Sequence, residues 1–110
     1  MDRLDQSVTY LYDPLHPAVL RLIQQVIQTG ARLDTPVAMC GEMAGDVRFT
    51  RLLLGMGLEE FSVRPNMIGM IKRRILQTRL ADIRDAMPDF ATVDTPQRAA
   101  ALVRRLNALE

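Results

Sequence analysis

Apolar positions along the chain change period several times, and each change marks an element. From Pro17 onward Val19, Leu22, Ile23, Val26 and Ile27 recur at the i, i+3, i+4, i+7, i+8 spacing of one helical face. The preceding Asp13-Pro14-Leu15-His16-Pro17 reads as a turn into that helix, with Pro17 at the first helical position, where its missing N–H costs nothing. Gly30 is the expected stop. Val37-Ala38-Met39-Cys40 is then an unbroken apolar run between Asp34-Thr35-Pro36 and Gly41. A strand buried on both faces looks like this, although periodicity alone leaves other buried structure open. A second helix is expected from near Asp46, with Phe49, Leu52, Leu53 and Met56 inward and Gly57 as its end. Glu60-Phe61-Ser62-Val63 reads as a second strand closed by Pro65.

Helices alone are expected after that. Ile68, Ile71 and Ile75 give one face, a short helical stretch covers Leu80 to Met87 before Pro88, and Asp94-Thr95-Pro96-Gln97 offers a capping-box-like start for the last helix. Leu102, Val103, Leu106 and Leu109 are its buried stripe. The first dozen residues, Met1 to Tyr12, show no clean period, and no internal repeat is found.

Strand, helix and strand in succession make a βαβ unit, so the fold class is α/β. Two parallel strands are marginal alone, because parallel sheets are normally covered on both faces by many neighbours. The pattern is therefore that of part of a larger α/β structure. Val37, Met39, Phe61 and Val63 would line surfaces meant for other strands. Such surfaces and open strand edges favour association, so a homo-oligomer is expected, a two-fold dimer first.

Composition narrows the functional classes. The 110 residues are 48% apolar and 25% charged, as in a soluble globular protein. Fourteen Lys and Arg against thirteen Asp and Glu give no electrostatic reason to expect nucleic acid or an anionic membrane. Lys72-Arg73-Arg74 reads as a solvated face. Cys40 and His16, the single cysteine and histidine, are too few for a disulfide framework or a structural zinc site. No run approaches the ~20 apolar residues of a membrane span, so a cytoplasmic protein is expected. The seven methionines read as core filling.

Several motifs carry a resemblance. Met39-Cys40-Gly41-Glu42-Met43-Ala44-Gly45-Asp46 is similar to the MCGE-x-AGD motif of enzyme I-type phosphoenolpyruvate–protein phosphotransferases. Leu52-Leu53-Leu54-Gly55-Met56-Gly57-Leu58-Glu59-Glu60-Phe61-Ser62 resembles that family's LLLGMGLDEFS. Leu11-Tyr12 and His16-Pro17-Ala18-Val19-Leu20 resemble its HLY and HPAVL stretch, and Asp2-Arg3 its DR pair. The resemblance covers nearly the whole chain in the family's order and weakens after Gln77. Related dikinases and synthases that use phosphoenolpyruvate share a CGE- or CGQ-like element but differ after it.

The resemblance implies the C-terminal part of a (β/α)8 barrel, holding the end of the sixth βα unit and all of the seventh and eighth, within residues 1–110. A whole barrel takes about 250 residues. It implies transfer of a phosphoryl group from phosphoenolpyruvate to a protein histidine, then to a phosphocarrier protein, in a sugar phosphotransferase system or a nitrogen-type relative. It also implies Mg²⁺ in the parent enzyme, with ligands that precede Met1, as does the phosphorylated histidine; His16 matches no phospho-acceptor motif. The competing reading is an inactive truncated fragment serving as an oligomerisation or interaction module. A small helical binding domain unrelated to the family is a third.

Individual residues follow from the same match. Read without the family, Cys40 is a small buried hydrophobe. By resemblance it is the acid that delivers a proton to C3 of enolpyruvate, and a thiol, with an ordinary pKa of about 8.5, suits that task at neutral pH. Arg3 aligns with an arginine that holds the phosphoryl group, a role matched to a guanidinium's paired donors, although the family's DRGN or DRNN is here Arg3-Leu4-Asp5. Glu42 either orients the site or serves the loop. Gly41 and Gly45 serve tight backbone at the strand-to-helix turn. Asp46 is a helix N-cap. Ser62 either faces the pocket or, as favoured, is a satisfied core hydroxyl. Arg64 departs from the small or amide residue usual after FSV; it either meets an anionic ligand or, as favoured, points to solvent.

Overall fold

The computed structural model describes residues 13–110. The elements run in the order helix α1 (Pro17–Arg32), strand β1 (Ala38–Met39), α2 (Val47–Gly55), β2 (Glu60–Phe61), a 3₁₀ turn (Pro65–Met67), α3 (Ile68–Leu76), α4 (Leu80–Ala86), a second 3₁₀ turn (Phe90–Thr92) and α5 (Pro96–Asn107). β1 and β2 pair in parallel, with Ala38 opposite Glu60 and Met39 opposite Phe61. The βαβ unit expected from the sequence is present. Its strands are shorter than the apolar runs, because the ladder ends once the chain turns at Gly41 and Pro65.

Each helix start has a local cause. His16 caps α1 by accepting the Ala18 N–H on Nδ1 at 3.1 Å, with Pro17 next. Asp46 caps α2 through the Arg48 N–H at 2.9 Å. Thr95 caps α5 through the Arg98 N–H at 3.1 Å. These contacts satisfy donors that the helices leave unpaired. Helix α2 stops as expected: Gly57 is left-handed, at φ 101°, and the Leu58 and Gly57 N–H groups bond back to the Leu53 and Leu54 carbonyls.

Helix α1 does not stop at Gly30. It runs on to Arg32, and the left-handed position falls at Asp34, φ 54°, with the Thr35 N–H returning to the Gly30 carbonyl at 2.8 Å. Gly30 is glycine for another reason: the chain doubles back over it. A Cβ there would overlap Val37 Cγ2 and lie 2.8 Å from the Thr35 carbonyl oxygen. Gly30→Ala is therefore expected to destabilise by about 1–3 kcal/mol despite alanine's better helix propensity. Urea unfolding measures it; a variant as stable as the wild type would mean that the α1–β1 turn yields freely.

Helix α2 is the centre of the molecule, with α3, α4 and α5 packed against it. Phe49, Leu52, Leu53 and Met56 are buried as expected, and so are Thr50 and Arg51. One core joins these to Leu20 and Ile27 of α1, Met43, Leu58, Ile83, Val93, and Ala99, Leu102, Val103 and Leu106 of α5. Leu102, Val103 and Leu106 of the α5 stripe are buried as expected, and Leu109, beyond the helix end at Asn107, is partly buried. Two other stripes differ. Val19, Leu22 and Val26 of α1 are exposed, while Ile27 is buried and Ile23 partly buried as expected, with Leu20 joining them, and on α3 Ile71 is buried but Ile68 is exposed. The periodicity was real, but the described residues cover only one edge of each apolar stripe. Val37, Met39 and Phe61 are partly buried against the core.

Candidate functional site

The C-terminal ends of the two parallel strands open onto a cleft of about 710 Å³. Gly41, Glu42, Gly45 and Asp46 line it from the β1–α2 loop, and Ser62, Val63, Arg64, Met67 and Met70 from the segment after β2. The loop can turn so sharply because Gly41 sits at φ 89°, where a side chain would be strained. Its N-terminal half closes on itself through the Gly45 N–H to the Gly41 carbonyl, 3.3 Å.

Cys40 is a free, exposed thiol at the exit of β1. It is not the buried hydrophobe that its apolar run suggests. Its neighbours, Gly41 and Glu42, line the cleft. Across the ladder the Ser62 N–H bonds the Met39 carbonyl at 2.8 Å, so the register continues to Ser62 beside Cys40. Ser62 is exposed and on the cleft wall, which corrects the expectation of a core hydroxyl. Glu42 is exposed in the same wall. Arg64, for which the sequence favours solvent over an anionic ligand, is exposed and lines the cleft. Arg3 lies outside the described residues.

Asp46 does more than cap α2. Its carboxylate takes Arg48 Nε at 3.1 Å and Nη2 at 2.7 Å besides the Arg48 N–H. The Arg48 side-chain hydrogen bonds hold the Asp46 carboxyl below its ordinary value of 3.8, against an opposing push from partial burial. A carboxyl whose folded pKa is depressed stabilises the fold above its unfolded pKa, and that contribution is lost as pH falls through the folded one. Asp46→Asn is therefore expected to lose most of its deficit relative to the wild type below pH 3.8, with a deficit of about 1 kcal/mol or less at pH 7 because asparagine still caps. Thermal unfolding from pH 7 to 2 checks this; a deficit independent of pH would contradict it.

A residue that sequence patterning missed lies on the far side of α2. Arg51 is 4% exposed and has no acidic partner among the described residues. Its guanidinium donates to the carbonyls of Leu106 at 2.8 Å, Leu109 at 2.6 Å and Gln77 at 3.3 Å, and to Thr78 Oγ1 at 3.0 Å. These acceptors gather at the C-terminal ends of α3 and α5, where helix dipoles are negative. Burial, then repulsion from Arg74, push its pKa down. Arg74 is not simply solvated either: it donates to Asn107 Oδ1 at 2.8 Å. Nothing in the local sequence marks Arg51, since its acceptors are backbone carbonyls up to 58 positions away.

Among the described residues no group of three or more His, Cys, Asp or Glu is placed to hold a metal ion. Of the two carboxylates on the cleft wall, Asp46 is already engaged by Arg48. This donor set does not fit Mg²⁺, which takes oxygen ligands in near-octahedral geometry. No described helix is long and apolar enough to cross a membrane.

A sequence model of the family described as PEP-utilising enzyme, PEP-binding domain, matches residues 1–80. The chain belongs to this family. The match ends close to Gln77, where the motif resemblance weakens. Curated relatives agree. A phosphoenolpyruvate-protein phosphotransferase of Cupriavidus necator is 44% identical over 106 residues, 96% of this chain and 18% of the relative. One from Buchnera aphidicola subsp. Acyrthosiphon pisum is 41% identical over 103 residues, 94% of this chain and 18% of the relative. One from Priestia megaterium is 37% identical over 103 residues, with the same coverage of 94% and 18%. The chain thus spans less than a fifth of the length of these relatives. Within the PEP-utilising family, its helix-rich α/β fold and small parallel sheet are those of the C-terminal part of a PEP-binding (β/α)8 barrel. In such barrels the active site lies at the C-terminal ends of the strands, the face on which this cleft opens.

Proposed function

We propose that the chain is part of a phosphoenolpyruvate–protein phosphotransferase, which moves a phosphoryl group from phosphoenolpyruvate to a protein histidine and on to a phosphocarrier protein. The observation that carries this reading is the convergence of Gly41, Glu42, Gly45 and Ser62, all from family motifs, on one cleft at the strand ends. In this reading the Cys40 thiol gives its proton to C3 of the enolpyruvate left when the phosphoryl group departs, forming the methyl group of pyruvate. Its exposure at the exit of β1 leaves the thiol open to substrate. Gly41 provides the turn, and Glu42 and Ser62 support the site with polar groups beside it. Arg3 holds the phosphoryl oxygens. Mg²⁺ belongs to the parent enzyme. The cytoplasm is the expected compartment, and sugar uptake or its nitrogen-type counterpart the pathway served.

The test is label transfer. The full-length protein carrying this segment, given phosphoenolpyruvate labelled in its phosphate and Mg²⁺, is expected to gain an acid-labile, base-stable phosphohistidine and to release pyruvate. Label that appears only with ATP would refute the reading.

A second reading, of residues 1–110 as an inactive homo-oligomerising module, is favoured by the exposed apolar residues Val19, Leu22 and Val26 on α1. Light scattering of the isolated chain across a dilution series separates association from a monodisperse monomer, and pyruvate release by that chain separates activity from its absence.

A further inference from the structure

The cleft at the strand ends contains a cation that the reading above does not use. Its charged lining residues are Glu42, Asp46 and Arg64. Asp46 is engaged by Arg48, and Arg64 has no ion-pair partner among the described residues. The Arg64 backbone is fixed although its side chain is exposed. It is extended, at φ −61° and ψ 147°, and precedes Pro65 at the start of the 3₁₀ turn. Its carbonyl accepts the Met67 N–H at 2.8 Å. Two residues earlier, Ser62 is tied to β1 next to Cys40. Extended chain rises about 3.3 Å per residue, so the Arg64 Cα stands about 7 Å along from Ser62, within range of a long side chain. A guanidinium offers paired, in-plane donors that match a carboxylate or a phosphate, and its charge persists throughout the working pH range.

We propose that Arg64 is a substrate-binding residue, its guanidinium gripping an anionic group of phosphoenolpyruvate in the cleft beside Cys40. This rests on the function proposed above. Arg64 carries no proton in the reaction. It contributes binding that ground state and transition state share, so its loss raises KM and leaves kcat nearly unchanged. Both the phosphate and the carboxylate of the substrate suit a guanidinium, and product inhibition tells them apart.

The experiment compares wild type, Arg64→Gln, Arg64→Lys and Cys40→Ala in the full-length protein, with circular dichroism confirming that each is folded. Arg64→Gln is expected to raise KM for phosphoenolpyruvate about 10- to 100-fold with kcat within about 3-fold, and Arg64→Lys to recover part of the loss. The inhibition constant of inorganic phosphate rises in Arg64→Gln if the phosphate is gripped, and that of pyruvate rises if the carboxylate is. A folded Arg64→Gln with unchanged KM overturns the proposal. So does a raised KM with neither inhibition constant altered and no recovery by lysine, which would mean a merely structural role. If Arg64→Gln keeps its KM while Cys40→Ala is crippled, this inference falls and the functional reading stands. If the wild type does not consume phosphoenolpyruvate, both fall.

Discussion

Replacing Cys40 by alanine in the full-length protein is expected to lower overall turnover of phosphoenolpyruvate by about 10²- to 10⁴-fold, the usual contribution of a positioned acid. The fold should be unaffected. Cys40 is exposed and absent from the buried core, so removing its sulfur opens no cavity in that core and strands no hydrogen-bond partner among the described residues. The same exposure makes the prediction sharp. A buried cysteine lost to alanine would reduce stability and activity together, whereas here activity alone should fall. Thermal unfolding and steady-state pyruvate release on the same preparation give both readings. Unchanged turnover would leave Cys40 without a catalytic role.

The second large effect is on stability. Arg51→Met is expected to destabilise the protein by about 3–5 kcal/mol, at about 1–3 kcal/mol for each buried acceptor left without its donor. Methionine fills much of the volume but leaves the Leu106, Leu109 and Gln77 carbonyls and the Thr78 hydroxyl without their donor. Arg51→Lys keeps a charge but not the planar fork that reaches these acceptors, so an intermediate loss of about 1–3 kcal/mol is expected. Hydrogen exchange should show α5 losing protection first, because Arg51 ties the end of that helix to α2. Asn107 would still link the two through its Nδ2 donor to the Arg48 carbonyl at 2.9 Å. A Met variant within about 0.5 kcal/mol of the wild type would mean that solvent replaces these bonds at no cost.

The Arg51 network also marks where sequence reading stops. Period and capping residues made most elements legible: Asp46 and Thr95 as caps, Gly57 as a left-handed stop, the α5 stripe, and the parallel pairing of β1 with β2. Local spacing carries that information. Burial on the back of α2 depends on α3, α4 and α5 arriving from later in the chain, so no local pattern marks Thr50 and Arg51 as buried. Gly30 misled for a related reason. A glycine near a helix end suggests a stop, and only the return of Val37 over it shows that close approach is the constraint. Val19, Leu22 and Val26 are apolar at helical spacing, yet the described core reaches only the Leu20–Ile27 edge of that face.

Of the candidate site, the glycine-turn and the strand-end position of Cys40 could be read from motif and pattern alone. The cleft-wall positions of Ser62 and Arg64 could not, because a two-residue strand gives no alternation from which to tell wall from core. The parallel register resolves this, bringing Ser62 to the same end of the sheet as Cys40.

In the proposed reaction Cys40 protonates the enolpyruvate formed in a cleft at the ends of β1 and β2. Rapid-quench single turnover of Cys40→Ala in the full-length protein, following phosphohistidine and pyruvate in the same samples, tests this step most directly. Phosphohistidine is expected still to form, while pyruvate appears far more slowly, because the enolpyruvate held in the cleft has lost its acid. Phosphohistidine and pyruvate rising together at the wild-type rate would contradict it.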